Sequence, residues 1–297
     1  MKIFKDKTTG LIVNSDFQKP KVKIGYIIMF MFLIVTSVIC IFPPVWIIVS
    51  SLKDTQELFA TPPTIIPKAI HFEKWIETWK SMNFMKYYFN TIIMAVGDLF
   101  FGLFVTGLGG YVISRIKPKG ANLVFSIILW TLMMPTSTNM VPLFQTFIDF
   151  PIGGINFTNT YFPMWFMSAS NCMNILLFKN FFDGIPKSYI ESAIIDGCTK
   201  LQVFYKIVIP LSIPIITVVS IFLLNSSWGN FLWPYLIIKN PELYTISVKL
   251  FSMKEGGYSA DMYLIAVVFA IIPPIILFAI FQKQMMSGMS IGSGVKG

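Results

Sequence analysis

Few side chains in this sequence are equipped for covalent chemistry. The one histidine, His71, reads as a surface loop residue, and the three cysteines, Cys40, Cys172 and Cys198, have neither metal-ligand spacing nor the pattern of a disulfide framework. No Gly-x-x-x-x-Gly-Lys-Ser/Thr loop is present to cradle a nucleotide phosphate. The stretch Gly292-Ser293-Gly294-Val295-Lys296-Gly297 imitates one but lacks the Ser or Thr after its lysine. Asp98 is the acid of a long apolar run. A charge at bilayer depth costs about 2.5–3.5 kcal/mol, so Asp98 has to face a cavity or a polar partner. With no Lys, Arg or His expected at membrane depth, it makes a poor proton relay. Amides, hydroxyls and rings recur in two further runs: Asn171 and Asn174, then Asn225, Ser226, Ser227, Trp228, Asn230 and Tyr235. Such groups hydrogen-bond helix to helix or anchor rings at an interface.

The most patterned stretch is Gly184 to Pro214, too polar for a membrane interior and too regular for a loose loop. Ile185, Tyr189, Ile190, Ala193 and Ile194 fall on one helical face, with Lys187, Ser188, Glu191, Ser192 and Asp196 opposite. Pro186 suits a helix start and Gly197 a left-handed stop. Leu201, Phe204, Tyr205 and Val208 then repeat the amphipathic pattern, and Pro210 and Pro214 reset the chain. The expected object is a short helix–turn–helix with part of its apolar face on the spans and its Asp196-Gly197 corner projecting. The pattern alone fits equally a receiver for a soluble partner or an interfacial helix resting on lipid headgroups.

The elements that would position these groups are membrane spans. Of 297 residues, 55% are hydrophobic and only 12% charged, and mean hydropathy is +0.70. Soluble domains carry about 25% charged residues, so a soluble enzyme is excluded. Six runs reach the roughly 20 residues needed to cross a bilayer. They are 24–49, 88–113, 123–147 (interrupted at Pro135 and Pro142), 160–182, 207–238 and 262–281 (with a kink expected at Pro273-Pro274). The first is too long for a signal-peptide core and reads as a retained anchor. The net charge of +9 does not point to nucleic acid, because the basic residues flank the apolar runs. Lys and Arg fall fifteen to eight toward the side holding 1–23, 115–119, 179–206 and 283–297, which places both termini in the cytoplasm. Trp75, Trp79, Tyr87 and Tyr88 read as an interfacial belt at the opposite edge. No internal duplication is visible, as half of a two-subunit pore would have it and a paired-half secondary transporter often would not.

Glu191-Ser192-Ala193-Ile194-Ile195-Asp196-Gly197, nine residues, then Ile207-Val208-Ile209-Pro210, resembles the EAA loop of ABC importer permeases: E-A-A-x-x-D-G, nine residues, I-x-L-P. Glu191, Ala193, Asp196, Gly197, Ile207 and Pro210 match in register; Ser192 and Ile209 depart conservatively. Leu58 to Pro63, Asn90-Thr91, Tyr111 to Arg115, Met134-Pro135 and Val141 to Phe144 resemble the corresponding parts of sugar-type permeases. Trp228 to Pro234 resembles a W-N-D-F-L-x-P motif with Gly229 and Asn230 substituted. The end Gly294-Val295-Lys296-Gly297 resembles the family terminus. The resemblance covers nearly the whole chain and is to the maltose-permease-G-like subunit of carbohydrate ABC importers.

It implies an all-α polytopic protein of the type I importer permease fold, with six spans and a cytoplasmic coupling helix pair, in a bacterial cell membrane. It divides the chain into a cytoplasmic segment 1–23, a membrane domain 24–283 containing the coupling loop 184–206, and a tail 284–297. The implied partners are a second, homologous permease subunit, two ATP-binding subunits, an extracytoplasmic sugar-binding protein and membrane lipid. ATP and Mg would reside on the ATP-binding subunits, with no cofactor, metal or catalytic residue on this chain. Glu191, Ser192, Ala193, Asp196, Gly197, Ile207 and Pro210 would dock and couple. Glu191 would meet a basic residue of the partner, Gly197 would supply geometry, and Ala193 would be small because a surface lies close against it. Asn171, Asn174, Asn225, Ser227, Trp228, Asn230 and Tyr235 would line the sugar path, since sugars stack on rings and need hydrogen bonds around their hydroxyls. An ion-coupled transporter or a membrane scaffold are the alternatives.

Overall fold

The computed structural model describes residues 19–292, and among them the regular structure is helical, with one isolated bridge between Phe150 and Ile155. Lys2, Lys5, Lys7 and the Gly294–Gly297 end lie outside that range. The chain divides at His71 into two units.

The first unit is led by α1, Pro20–Ser50, which starts on a proline as helices tolerate and runs unbroken through Pro43 and Pro44. Its apolar side chains are exposed all round, as hydrocarbon surroundings require. A short helix, α2 (Thr55–Leu58), opens a loop held by charged groups. Lys53 is buried, donates to the Thr64 carbonyl and sits 4.7 Å over the Trp46 ring. The Glu57 carboxylate accepts from Thr64 Oγ1 at 2.7 Å and from the Lys68 amide at 3.0 Å. His71 pairs with Asp54 at 3.2 Å, the loop setting expected of it.

The Thr64 bond, outweighing desolvation and helped by the Lys68 amide, holds the Glu57 carboxyl below its usual 4.5. A depressed carboxylate contributes order above its unfolded pKa and loses it as pH falls through the lower, folded one. The protection of the Lys68 amide against hydrogen exchange is therefore expected to be constant from neutral pH down to about pH 4.5 and to decline only below it. A decline beginning near pH 6 would contradict the Glu57 anchor.

The second unit begins with α3 (Phe72–Ser81) and α4 (Phe84–Tyr111), the latter running on into a π turn, Val112–Ile116. Then come α5 (Ala121–Leu132), α6 (Met140–Ile148), α7 (Phe162–Ala169), α8 (Cys172–Gly184), α9 (Lys187–Ile195) and α10 (Lys200–Val203). A second π turn, Phe204–Val208, leads to α11 (Ile209–Leu211), α12 (Ile213–Gly229), α13 (Leu232–Ile237), α14 (Ile246–Glu255) and α15 (Ala260–Gly292).

The centre is α4, packed on α7, α8 and α12. Its buried stripe, Thr91, Ala95, Asp98, Gly102, Thr106 and Gly110, repeats at helical spacing with small side chains. Helices in a bilayer associate through such stripes because small residues let backbones approach. Gly102, Thr106 and Gly110 at intervals of four are the signal of this stripe in the sequence. At the opposite end of α4, Asn90 Nδ2 donates to the carbonyls of Glu242 and Tyr244, and Thr91 Oγ1 accepts from the Ile246 amide. Asn90-Thr91 thus pins the loop after α13.

The spans are less regular than six continuous helices. Among the described residues, three helices are long and apolar enough to cross alone: α1, α4 with its π turn, and α15. Two bent pairs, one built on α5 and α6 and one on α10–α11 and α12, bring the total to five. The expected run 160–182 is instead α7 and α8, broken at Ser170-Asn171, where the Asn171 side chain accepts from the Asn174 amide and restarts the helix. The expected run 207–238 also changes. A 71° bend falls between α11 and α12, where Pro210 and Pro214 withhold donors, so the straight helix α12 starts only at Ile213. α15 passes through Pro273-Pro274 without a break. Trp75, Trp79 and Tyr88 are not simply a belt. Trp75 and Trp79 meet the Phe269 ring edge-on at 5.4 and 5.0 Å, and Tyr88 donates to the Phe269 carbonyl.

Candidate functional site

The helix pair 187–208 is closed by two interlocking caps. At the end of α9, Gly197 has φ +84°, its amide donates to the Ile194 carbonyl at 3.0 Å, and the Cys198 amide donates to Ala193 at 2.9 Å. This is the Schellman arrangement, which satisfies the last carbonyls of a helix and needs a left-handed residue. Two residues later Thr199 starts α10 with a reciprocal capping box to Gln202. Gly197 is the stop expected from the sequence; the capping box adds a start that Thr199-x-x-Gln202 also signals.

Ile185, Ala193, Val203 and Val208 are buried against Phe178 and Phe182 of α8, with Ile190, Phe204 and Ile207 partly buried around them. Ala193 is small because its own chain lies against it. Glu191, Ser192, Asp196, Gly197 and Pro210 are exposed. Tyr189 and Ile194, expected on the packed face, are exposed too. The buried stripe of α9 is centred between Ile190 and Ala193, and at about 100° per residue both flank that centre by about 70°. Leu201 and Tyr205 are likewise exposed. Ile195 (84% exposed) and Leu201 (71%) make the corner an apolar tip, the mark of a contact surface.

A groove of about 790 Å³ runs beneath the pair, between the π turn after α4 and the helices α9 and α10, with Lys117, Lys187 and Lys200 among apolar walls. At its base Asp183 accepts from Ser114 Oγ at 2.6 Å and pairs with Lys179 at 2.7 Å. Burial raises the Asp183 pKa, but the bonds from Lys179 and Ser114, with the charges of Lys179 and Lys117, together outweigh it and leave the group below its usual 3.8.

The polar residues of the spans separate into two sets. Asn174 and Ser227 are buried, and Trp228 Nε1 donates to the Ala270 carbonyl at 3.0 Å while its ring meets Tyr88 at 5.6 Å. These three sit in contacts between helices. Asp98 (3% exposed) accepts from Ser168 Oγ at 2.7 Å, and the Ser227 hydroxyl is buried within range of its carboxylate without forming a well-aligned bond. Asp98 is therefore an internal tie between α4 and α7. Asn225 and Ser226, by contrast, are exposed together with Phe222 and Gly229 on one face of α12. Tyr235 is half-exposed, stacked on Phe231 at 5.2 Å, and Asn230 ends α12 beside it. Asn171 is exposed but spent as a cap.

The family model described as binding-protein-dependent transport system inner membrane component matches residues 99–290, more than half of the chain and all of the helix pair. The chain belongs to that family. It is a multi-pass membrane protein of a transport family, not an enzyme family. Among relatives of this transport component, the arabinooligosaccharides transport system permease protein AraQ of Bacillus subtilis (strain 168) is 29% identical over 282 residues, 94% of this chain and 98% of the relative. A bacterial ABC transporter involved in import of the acidic polysaccharide alginate contains a chain of the same fold. It has 23% identity and a TM-score of 0.78, covering 89% of this chain and 98% of that one. A chain of the alginate transporter in complex with its alginate pentasaccharide-bound periplasmic protein superposes with a TM-score of 0.65 at 15% identity, over 91% and 97% of the two chains. The fold of this inner membrane component is that of ABC importer permeases.

Proposed function

We propose that this chain is one permease subunit of an ATP-driven, binding-protein-dependent importer of a sugar or oligosaccharide. The observation that carries the reading is the doubly capped corner Glu191–Gly197. It is rigidly tied to α8, apolar at its tip and charged on its flank. A soluble ATP-binding subunit seats on it, with Glu191 facing a basic residue of the cleft, and a second such subunit serves the partner permease. ATP and Mg stay on those subunits. The lysine balance supports a cytoplasmic setting for the corner and both termini.

The face of α12 carrying Asn225 and Ser226 supports the other half of the reading. Exposed amides and hydroxyls at membrane depth belong against protein or a wet cavity rather than lipid. A second, homologous permease subunit closes that face. Asn225, Asn230 and Tyr235 are the polar and aromatic groups available to a sugar there. An extracytoplasmic binding protein delivers the sugar, a reading supported by the alginate transporter's complex with an alginate pentasaccharide-bound periplasmic protein.

The test is uptake of labelled oligosaccharide by proteoliposomes holding the complete complex. Uptake is expected to require internal ATP and the loaded binding protein, and to persist when ion gradients are collapsed. Uptake by this chain alone, driven by an ion gradient, would replace the reading with a secondary transporter.

A further inference from the structure

We infer that Arg115 is a positioning residue that carries motion of the helix pair into α4, and so couples the partner's ATP cycle to the pore; this rests on the function proposed above.

The first observation is compositional. Arg115 is the sole arginine among 23 basic residues. Where every other basic position is lysine, this one is a guanidinium, a planar group whose donors are fixed in direction. Lysine offers a flexible point charge instead.

The second is geometric. Nη2 of Arg115 donates to the carbonyls of both Phe182 and Ile185. These bracket the linker from the last turn of α8 into α9. The neighbouring Ser114 Oγ donates to Asp183 in the same linker at 2.6 Å. The end of α4 is thereby bolted to the segment from which the helix pair hangs. The Nε of Arg115 is buried without a partner, a penalty borne by a group whose remaining bonds matter.

The third concerns the backbone. Arg115 and Ser114 lie in a π turn, a conformation of well under 1% of residues and frequent at functional sites. The second π turn, Phe204–Val208, is where the chain leaves the pair. Its Phe204 ring meets the Tyr111 ring, on the last residue of α4, at 4.6 Å. The entrance to the pair and its exit both converge on the end of α4, the helix against which α7, α8 and α12 pack. A displacement of the corner therefore reaches α4 at this joint, beside the apolar contacts the pair makes with α8 and α12.

The experiment uses the reconstituted complex with its ATP-binding subunits and binding protein, and reads sugar taken up per ATP hydrolysed. Arg115→Lys is expected to copurify with its partners and hydrolyse ATP at close to the unmodified rate, while sugar per ATP falls about tenfold, on the scale of one lost charge-assisted bond. Ser114→Ala removes the second bond of the same joint and is expected to lower the ratio by about twofold to threefold. An unchanged ratio in Arg115→Lys would overturn the inference, since a purely structural role is rescued by retained charge and volume. Should Arg115→Lys fail to assemble, Ser114→Ala decides, and an unchanged ratio there overturns it as well. ATP-independent or absent uptake by the unmodified complex would instead count against the functional reading, before any variant is considered.

Discussion

Gly197→Val is expected to abolish ATP-driven uptake and to release the ATP-binding subunits during purification, whereas Gly197→Asn is expected to retain most of both. A β-carbon at Gly197 would meet nothing within 4 Å, so crowding is not the reason. The reason is φ +84°. A left-handed residue costs an ordinary side chain about 1–2 kcal/mol, and a β-branched one is a true outlier there. Asparagine visits that region with little strain. The strain would be relieved by opening the Schellman bonds to Ala193 and Ile194, which aim the corner and set the start of the Thr199 capping box. Copurification and uptake measured on the pair of variants separate geometry from surface chemistry. Valine behaving like glycine would remove the corner from the mechanism. Asparagine failing as badly as valine would mean that a surface, not a dihedral angle, is being read.

The second large effect is expected at Gly110, on folding. A β-carbon there would lie 2.6 Å from Phe178 Cβ and 2.9 Å from the Lys179 backbone nitrogen. Neither can swing aside, because one is a side-chain root and the other is backbone. Gly110→Ala is expected to push α4 from α8 and to destabilise by about 1–3 kcal/mol, the usual penalty of overpacking. Gly107, one turn earlier, supplies the contrast, since its β-carbon would meet only the Phe178 ring at 3.8 Å. Gly107→Ala is expected to be neutral or to gain up to about 1 kcal/mol of helix propensity. Thermal unfolding of the two variants in detergent, beside the unmodified protein, checks this. Equal midpoints for both would show that α4 and α8 are not in backbone contact at Gly110.

Much of this molecule was legible before its structure. A continuous apolar run of some 20 residues reads as a helix in a bilayer, because the helix alone satisfies all its backbone bonds within one segment. The segments 24–49, 88–113 and 262–281 accordingly became α1, α4 and α15. Proline and glycine act within a turn or two, so the stop at Gly197 and the resetting at Pro210 and Pro214 were readable from local chemistry. Breaks made by side chains were harder. The interruption at Ser170-Asn171 depends on an asparagine capping its own chain, an option every asparagine has and few take.

What the sequence by itself determined, then, was the order of the apolar segments and the amphipathic corner between two of them, since hydrophobicity and turn chemistry are properties of neighbours along the chain. Only the tertiary structure decided which face of each helix turns inward. It separated Trp228, Ser227 and Asn174, held inside the bundle, from Asn225 and Ser226, left exposed on α12. It also turned Ile194 and Leu201 outward and gave Arg115 its two carbonyls. The physical reason is rotational. One residue is about 100° of helix, and the angle that matters is set by contacts with helices distant in sequence, such as α4 with α8.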